Sequence, residues 1–183
     1  DMSSKLYDMK TQRFIDNITS ITPGALKGGV QALARHPSRN EILIGGTDGV
    51  PAIYRMERIT KRVIGDNANL IRKFPVMQGR IFGVDFAPDG KRIVAGASFE
   101  GTGTVNVYAS DYDSTMPEAV KKIVETVSGK GPELDAWVTQ GVKLIASTSL
   151  PTDGVFSVSF SPDGQTVAAA GQDGRIRQRQ GMA

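Results

Sequence analysis

The chain has 183 residues, with 22 Lys and Arg against 19 Asp and Glu, a formal net charge of +3. So small an excess, without a like-charge block, argues against a dedicated nucleic-acid binder, and no apolar run approaches the roughly 18 residues of a spanning helix, so no membrane insertion is expected. Cysteine is absent and histidine occurs once, which removes disulfides, Cys-ligated zinc, iron–sulfur clusters, a Cys nucleophile, thioether-attached haem c and a His-rich metal site; no cofactor and no metal are expected.

The 21 glycines point to tight turns and therefore to many short strands. In chain order, Lys5-Leu6-Tyr7-Asp8 reads as a strand leaving a hairpin, and Arg13-Phe14-Ile15 as the strand after it. From Val30 the chain enters the first of three matching segments, VQALARHPSRNEILIGGTDG; the others are IFGVDFAPDGKRIVAGAS from Ile81 and VFSVSFSPDGQTVAAAGQDG from Val155. Each opens on a period-two apolar stretch, the signature of a strand with one buried face. Each then reaches a proline (Pro37, Pro88, Pro162) and turns. Each resumes, at the same spacing, on Ile42, Ile93 or Val167. Pro-Asp-Gly is turn chemistry, and Asp48-Gly49 and Asp173-Gly174 are hairpin signals. Third strands follow at Ala52–Tyr54, Val105–Tyr108 and Ile176–Gln178, and fourth strands are read at 62–64 and 142–146.

The interval from Ile81 to Val155 is longer than that from Val30 to Ile81, and the excess falls after Tyr108. Met116-Pro117-Glu118 reads as a helix start. Val120, Ile123, Val124 and Val127 form its apolar stripe, and Ser128-Gly129 its stop. A second helix is expected over 132–140, presenting Leu134, Trp137 and Val138.

Four short antiparallel strands per repeating unit make the blade of a β-propeller. The residues resemble WD repeats. The likeness is carried by the FSPDG and FAPDG turns, the QDG and TDG hairpins, and the closing KLYD, AIYR and NVYA strands. The signature Trp-Asp pair and the Gly-His pair are missing; Tyr7-Asp8, Tyr54-Arg55 and Tyr108-Ala109 stand in place of the former. The expected fold is all-β, an incomplete propeller with a short helical insertion. Its parts are a partial blade over 1–22, a blade over 28–74, a blade over 79–149 carrying the insertion 112–141, and a partial blade over 153–183. Asp1-Met2-Ser3-Ser4 holds no leader with basic and apolar regions. The reading is a segment of something longer, or a protomer whose half-blades close on a second copy as a homodimer.

A narrower resemblance is to planctomycete-type envelope proteins that join a cytochrome-c-like domain to a WD-type propeller. It rests on TQRFIDNITSITPGALKGGV, IGGTDGVPAIYRM and QGVKLIAS. It implies a periplasmic or cell-envelope location and a c-type cytochrome or other redox protein as partner. The haem-attachment motif Cys-x-x-Cys-His is absent, so the likeness covers the propeller part.

Candidate chemistry is sparse. His36 stands at a turn edge and has no evident Ser or carboxylate to form a triad. Gly101-Thr102-Gly103 and Ser128-Gly129-Lys130-Gly131 do not follow a strand and open a long helix, as a phosphate cradle must. Asp111, Asp113 and Ser114 have the spacing of a calcium-loop start without its glycine and distal Glu. Asn17-Ile18-Thr19 is a formal glycosylation acceptor. Arg175, Arg177 and Arg179 alternate on one strand as a basic strip, either solvent-facing or docking an acidic partner. Trp137 packs the insertion or anchors an interface.

The expectation is a non-catalytic interaction scaffold, with Asp48, Phe99, Trp137, Arg175 and Arg177 as contact residues and the insertion as part of the surface. The alternatives are a propeller enzyme, lactonase or quinoprotein-like oxidoreductase, and a structural segment of a larger protein.

Overall fold

The computed structural model describes residues 3–19, 29–63, 66–126, 129–151 and 153–180. Among them lie thirteen strands in four antiparallel sheets, plus two short helices. Sheet one pairs β1 (Lys5–Tyr7) with β2 (Phe14–Asn17). Sheet two runs in chain order through β3 (Val30–Arg35), β4 (Glu41–Gly46), β5 (Ala52–Arg55) and β6 (Leu70–Lys73). Sheet three repeats that order with β7 (Arg80–Phe86), β8 (Arg92–Phe99), β9 (Thr102–Ala109) and β10 (Lys143–Leu150). Sheet four has three strands, β11 (Val155–Phe160), β12 (Thr166–Gly171) and β13 (Ile176–Gln180). No sheet closes on itself. Among the described residues two sheets have four strands and two have fewer, an all-β arrangement consistent with an incomplete propeller.

The stacking follows from small residues. Gly45 of β4 and Gly96 of β8 occupy matching positions. A Cβ on Gly45 would stand 2.4 Å from a methyl of Ile81; one on Gly96 would stand 2.7 Å from a methyl of Val155. Each glycine lets the first strand of the next sheet lie down on its face. Two cores result. One joins sheets two and three and the helices around Leu43, Ile53, Ile81 and Tyr108. The other joins sheets three and four around Val94, Val107, Val155 and Val167. Asp85 fastens the second junction, accepting the Phe160 N–H at 2.9 Å and the Ser159 hydroxyl at 2.8 Å. The turns interlock as well. Gly90, at φ 71°, meets the His36 ring of the sheet before it, where a Cβ would approach to 2.5 Å.

The fourth strand of sheet two is displaced from its expected place at 62–64. It forms at β6, and Ile64 lies outside the described residues. The reason is Asp66. Its carboxylate accepts the Val63 N–H at 2.8 Å and the Ala68 N–H at 3.2 Å, and meets Arg58 at 2.9 Å. That wraps the chain into a loop before it can pair. Arg58 also reaches Asp16 of β2 at 2.7 Å, tying sheet one to sheet two.

The insertion holds α1 (Glu118–Val124), with Pro117 at its N-cap, and α2 (Pro132–Thr139). Val120 and Val124 of the expected stripe are buried; Val127 and Ser128 lie outside the described residues, as do Asp1 and Met2 of the first hairpin. The helices cover the outer edge of sheet two, with α2 beside β6. Among the described residues no helix is long and apolar enough to cross a membrane.

Candidate functional site

The alternation of short strands sends consecutive turns to opposite ends of the stack. One end collects the hairpins between second and third strands. The Met77 N–H donates to the Gly49 carbonyl at 2.8 Å. Arg80 pairs with Ser98 across β7 and β8. The Ser98 hydroxyl donates to the Val155 carbonyl at 2.8 Å, and the Asp173 N–H donates to Asp153 at 2.9 Å. These links place Asp48, Phe99, Arg175 and Arg177 at one end of the stack, although long stretches of sequence separate them. Val76, 71% exposed, joins them from the link between sheets two and three. Sequence reasoning missed it, since a valine after Phe74-Pro75 reads as ordinary loop.

Asp48 turns its carboxylate back to accept the Val50 N–H at 3.1 Å. Burial pushes its pKa up from the ordinary 3.8. Phe99 is 42% exposed at the tip of β8. Arg177 is engaged with two carboxylates, Asp153 at 2.6 Å and Asp173 at 2.5 Å. The Arg177 hydrogen bond holds Asp173 down at about 2. Arg175 is 80% exposed and stands 4.0 Å from Asp173. Arg179 bonds the Ser147 carbonyl at 2.9 Å and the Thr148 hydroxyl. The basic strip is thus partly spent on holding sheet four to sheet three.

The insertion leaves from the other end. The Ser110 N–H donates to the Lys91 carbonyl beside the turn of sheet three, and the Tyr112 hydroxyl reaches Glu41 at 2.5 Å near the turn of sheet two. Three arginines from sheet two and its turn then take three consecutive carbonyls. Arg39 donates to that of Tyr112 at 3.4 Å, Arg72 to that of Asp113 at 3.2 Å, and Arg55 to that of Ser114 at 2.7 Å. The guanidinium groups of Arg39 and Arg72 each stand over the Tyr112 ring, 4.5 Å from its centroid. Burial lowers the pKa of Arg72 and of Arg55 and raises that of the Tyr112 phenol, which the bond to Glu41 raises further. These carbonyls and side chains account for the 111–114 segment. Its carboxylates do other work: Asp111 faces Lys91 at 3.7 Å and Asp113 accepts the Thr115 N–H at 2.8 Å.

Trp137 is 6% exposed, packed in the first core with the Arg72 guanidinium 5.2 Å from its ring. Its contacts are internal, and it stands apart from Asp48, Phe99, Arg175 and Arg177. The far end of α2 does approach the hairpin end. Val138 and Thr139 there form, with Val50, Phe74 and Val76, a groove of about 520 Å³.

His36 is buried. Its Nδ1 accepts the N–H groups of Ser38 and Arg39 at 3.2 and 3.0 Å, and its ring meets Phe86 edge-on. Burial lowers its pKa below 6.5. It serves as a turn cap. Thr19 of the formal glycosylation acceptor is buried and takes the Ser4 N–H on its hydroxyl.

Residues 142–178 match the family described as WD domain, G-beta repeat. The matched stretch takes in β10, β11, β12 and the start of β13, so one repeat unit bridges two sheets. A search of the curated proteins returned no match. The repeat and the sheets together support a WD-repeat-like fold, and such repeats serve in general as non-catalytic scaffolds for protein partners.

Proposed function

We propose that this chain is a non-catalytic scaffold whose hairpin end is the partner-binding face. The observation that carries it is the gathering there of Asp48, Val76, Phe99 and Arg175, mutually distant in sequence and borne on turns, links and a strand tip that the sheets position. Rigid strands presenting variable turns are a common way to build a binding surface. The groove beside α2 widens that face, so the insertion contributes through Val138 and Thr139 while Trp137 supports it from within. A c-type cytochrome or other redox protein of the cell envelope is the finer partner, and the resemblance of the three strings supports it. Photocrosslinking tests the face. A crosslinkable residue at Phe99 or at Val76 should give a discrete adduct in the native cell. The same label at Ile59, exposed at the opposite end, should give none. Equal adducts from both ends would overturn the assignment.

A further inference from the structure

The strap that leads into the insertion, residues 110–117, forms neither helix nor strand. Three of its hydroxyl groups are engaged. The Ser110 hydroxyl donates to the Gly90 carbonyl at 3.3 Å, that of Tyr112 to Glu41 at 2.5 Å, and that of Thr115 to Asp113. The Ser114 hydroxyl makes no hydrogen bond among the described residues, and Ser114 is half-buried rather than covered.

The charge around Ser114 is out of balance. Arg39, Arg55 and Arg72 converge on the carbonyls of 112–114, and Arg55 takes that of Ser114 itself at 2.7 Å. Arg39 has buried Glu41 as its ion-pair partner at 3.1 Å. Arg55 and Arg72 have no carboxylate within ion-pair distance among the described residues. Asp113 is exposed and spends its carboxylate on Thr115. The Nε atoms of Arg55 and Arg72 are buried without an acceptor, which costs stability. Burial lowers the pKa of both arginines, as expected of cations short of countercharge. The cluster thus holds neutral carbonyls where an anion would bind more strongly.

We propose that Ser114 is a phosphorylation site and that Arg39, Arg55 and Arg72 hold the phosphoryl group it carries. The donor is a nucleoside triphosphate, presented by a separate kinase. The bond from Ser114 Oγ to the γ-phosphorus forms, and the bond from that phosphorus to the β–γ bridging oxygen breaks. The nucleoside diphosphate leaves, and the hydroxyl proton passes to solvent. The product brings nearly two negative charges at pH 7 and three acceptor oxygens. Asp113 opposes it by like charge. Its exposure screens that repulsion, whereas Arg55 and Arg72 act from low-dielectric surroundings. The result is a tighter strap, with α1 and α2 held more firmly to sheet two. The site stands whether or not the hairpin end binds a partner.

Phosphoserine encoded at position 114 of the whole chain, followed by phosphorus NMR, tests the cluster. Its second pKa should drop by about 1 from the ordinary value near 6. The thermal midpoint should rise by roughly 3 °C, with slowed amide exchange in α1 and α2. Phosphoserine at Ser149, exposed on β10, should do none of this. In Arg55→Gln the group at Ser114 should lose most of both effects, each read against the unphosphorylated variant so that any loss of stability cancels. Arg39→Gln, at a side chain 32% exposed, repeats the comparison if Arg55→Gln does not fold. An unshifted pKa, an unchanged or lowered midpoint, or equal effects at Ser149 overturns the proposal. Mass spectrometry of the chain from its native cell, before and after phosphatase, tests occupancy. One phosphoryl group at Ser114 is expected. Its absence, or its placement only at Ser110, Tyr112 or Thr115, overturns the proposal as well.

Discussion

Asp48 shows how a turn residue can carry a cost for its position. Its carboxylate accepts the Val50 N–H, yet burial raises its pKa above 3.8. A carboxyl that binds its proton more tightly folded than unfolded favours the fold below pH 3.8. That contribution is lost as pH rises through the raised value, so ionised Asp48 is a liability at neutral pH. Asn keeps the acceptor and the turn chemistry before Gly49. Asp48→Asn should therefore melt higher than the parent at pH 7, with the gain gone by about pH 3; equal midpoints at pH 7 would show that burial costs nothing there. Trp137 is the opposite case, a residue whose composition suggests an interface and whose position is a core. Trp137→Ala should destabilise by about 3 kcal/mol. Partner crosslinking at Phe99 should persist in the molecules that stay folded, since the two sites lie apart.

The insertion shows which elements the sequence can disclose. Its helices are legible because Val120 with Val124, and Leu134 with Trp137 and Val138, repeat at helical spacing, and Pro117 marks the start. The anchorage is not legible. Arg39, Arg55 and Arg72 sit in different elements and look like ordinary strand and turn charges until the fold gathers them on the carbonyls of 112–114. Arg72 is wholly buried, which no pattern in Leu70-Ile71-Arg72-Lys73 announces. The misplaced fourth strand has the same origin. The run at 62–64 and β6 are comparable in length and polarity, and the choice falls to Asp66 and Arg58, whose bond to Asp16 crosses between sheets. Two predictions belong here. Tyr112→Phe removes the hydroxyl at 2.5 Å from buried Glu41, leaving Arg39 as its remaining ion-pair partner. It should cost about 2 kcal/mol and speed amide exchange in α1 and α2 more than in β8. Arg58→Met leaves two buried carboxylates facing each other without their shared cation. It should cost about 3 kcal/mol, read as a lowered denaturant midpoint, and free β1 and β2 first.

In the whole molecule, stability passes from sheet to sheet through the two cores. The fold class was readable because the same turn chemistry recurs at fixed spacing in three segments. The order of strengths was not, because it depends on which faces a neighbour covers. The core between sheets two and three also takes in both helices, while that between sheets three and four rests on smaller side chains. Stacked repeats behave as units with nearest-neighbour coupling, so sheet four should open alone before the rest. Val158 lies at the second junction and Ile81 at the first, both buried. Val158→Ala, costing about 2 kcal/mol, should reduce exchange protection in β11, β12 and β13 and leave β4 and β5 as they were. Ile81→Ala, costing about 3 kcal/mol, should reduce protection in sheets two and three together, because that face holds both. Uniform loss of protection in the Val158 variant would mean the stack melts as one cooperative body.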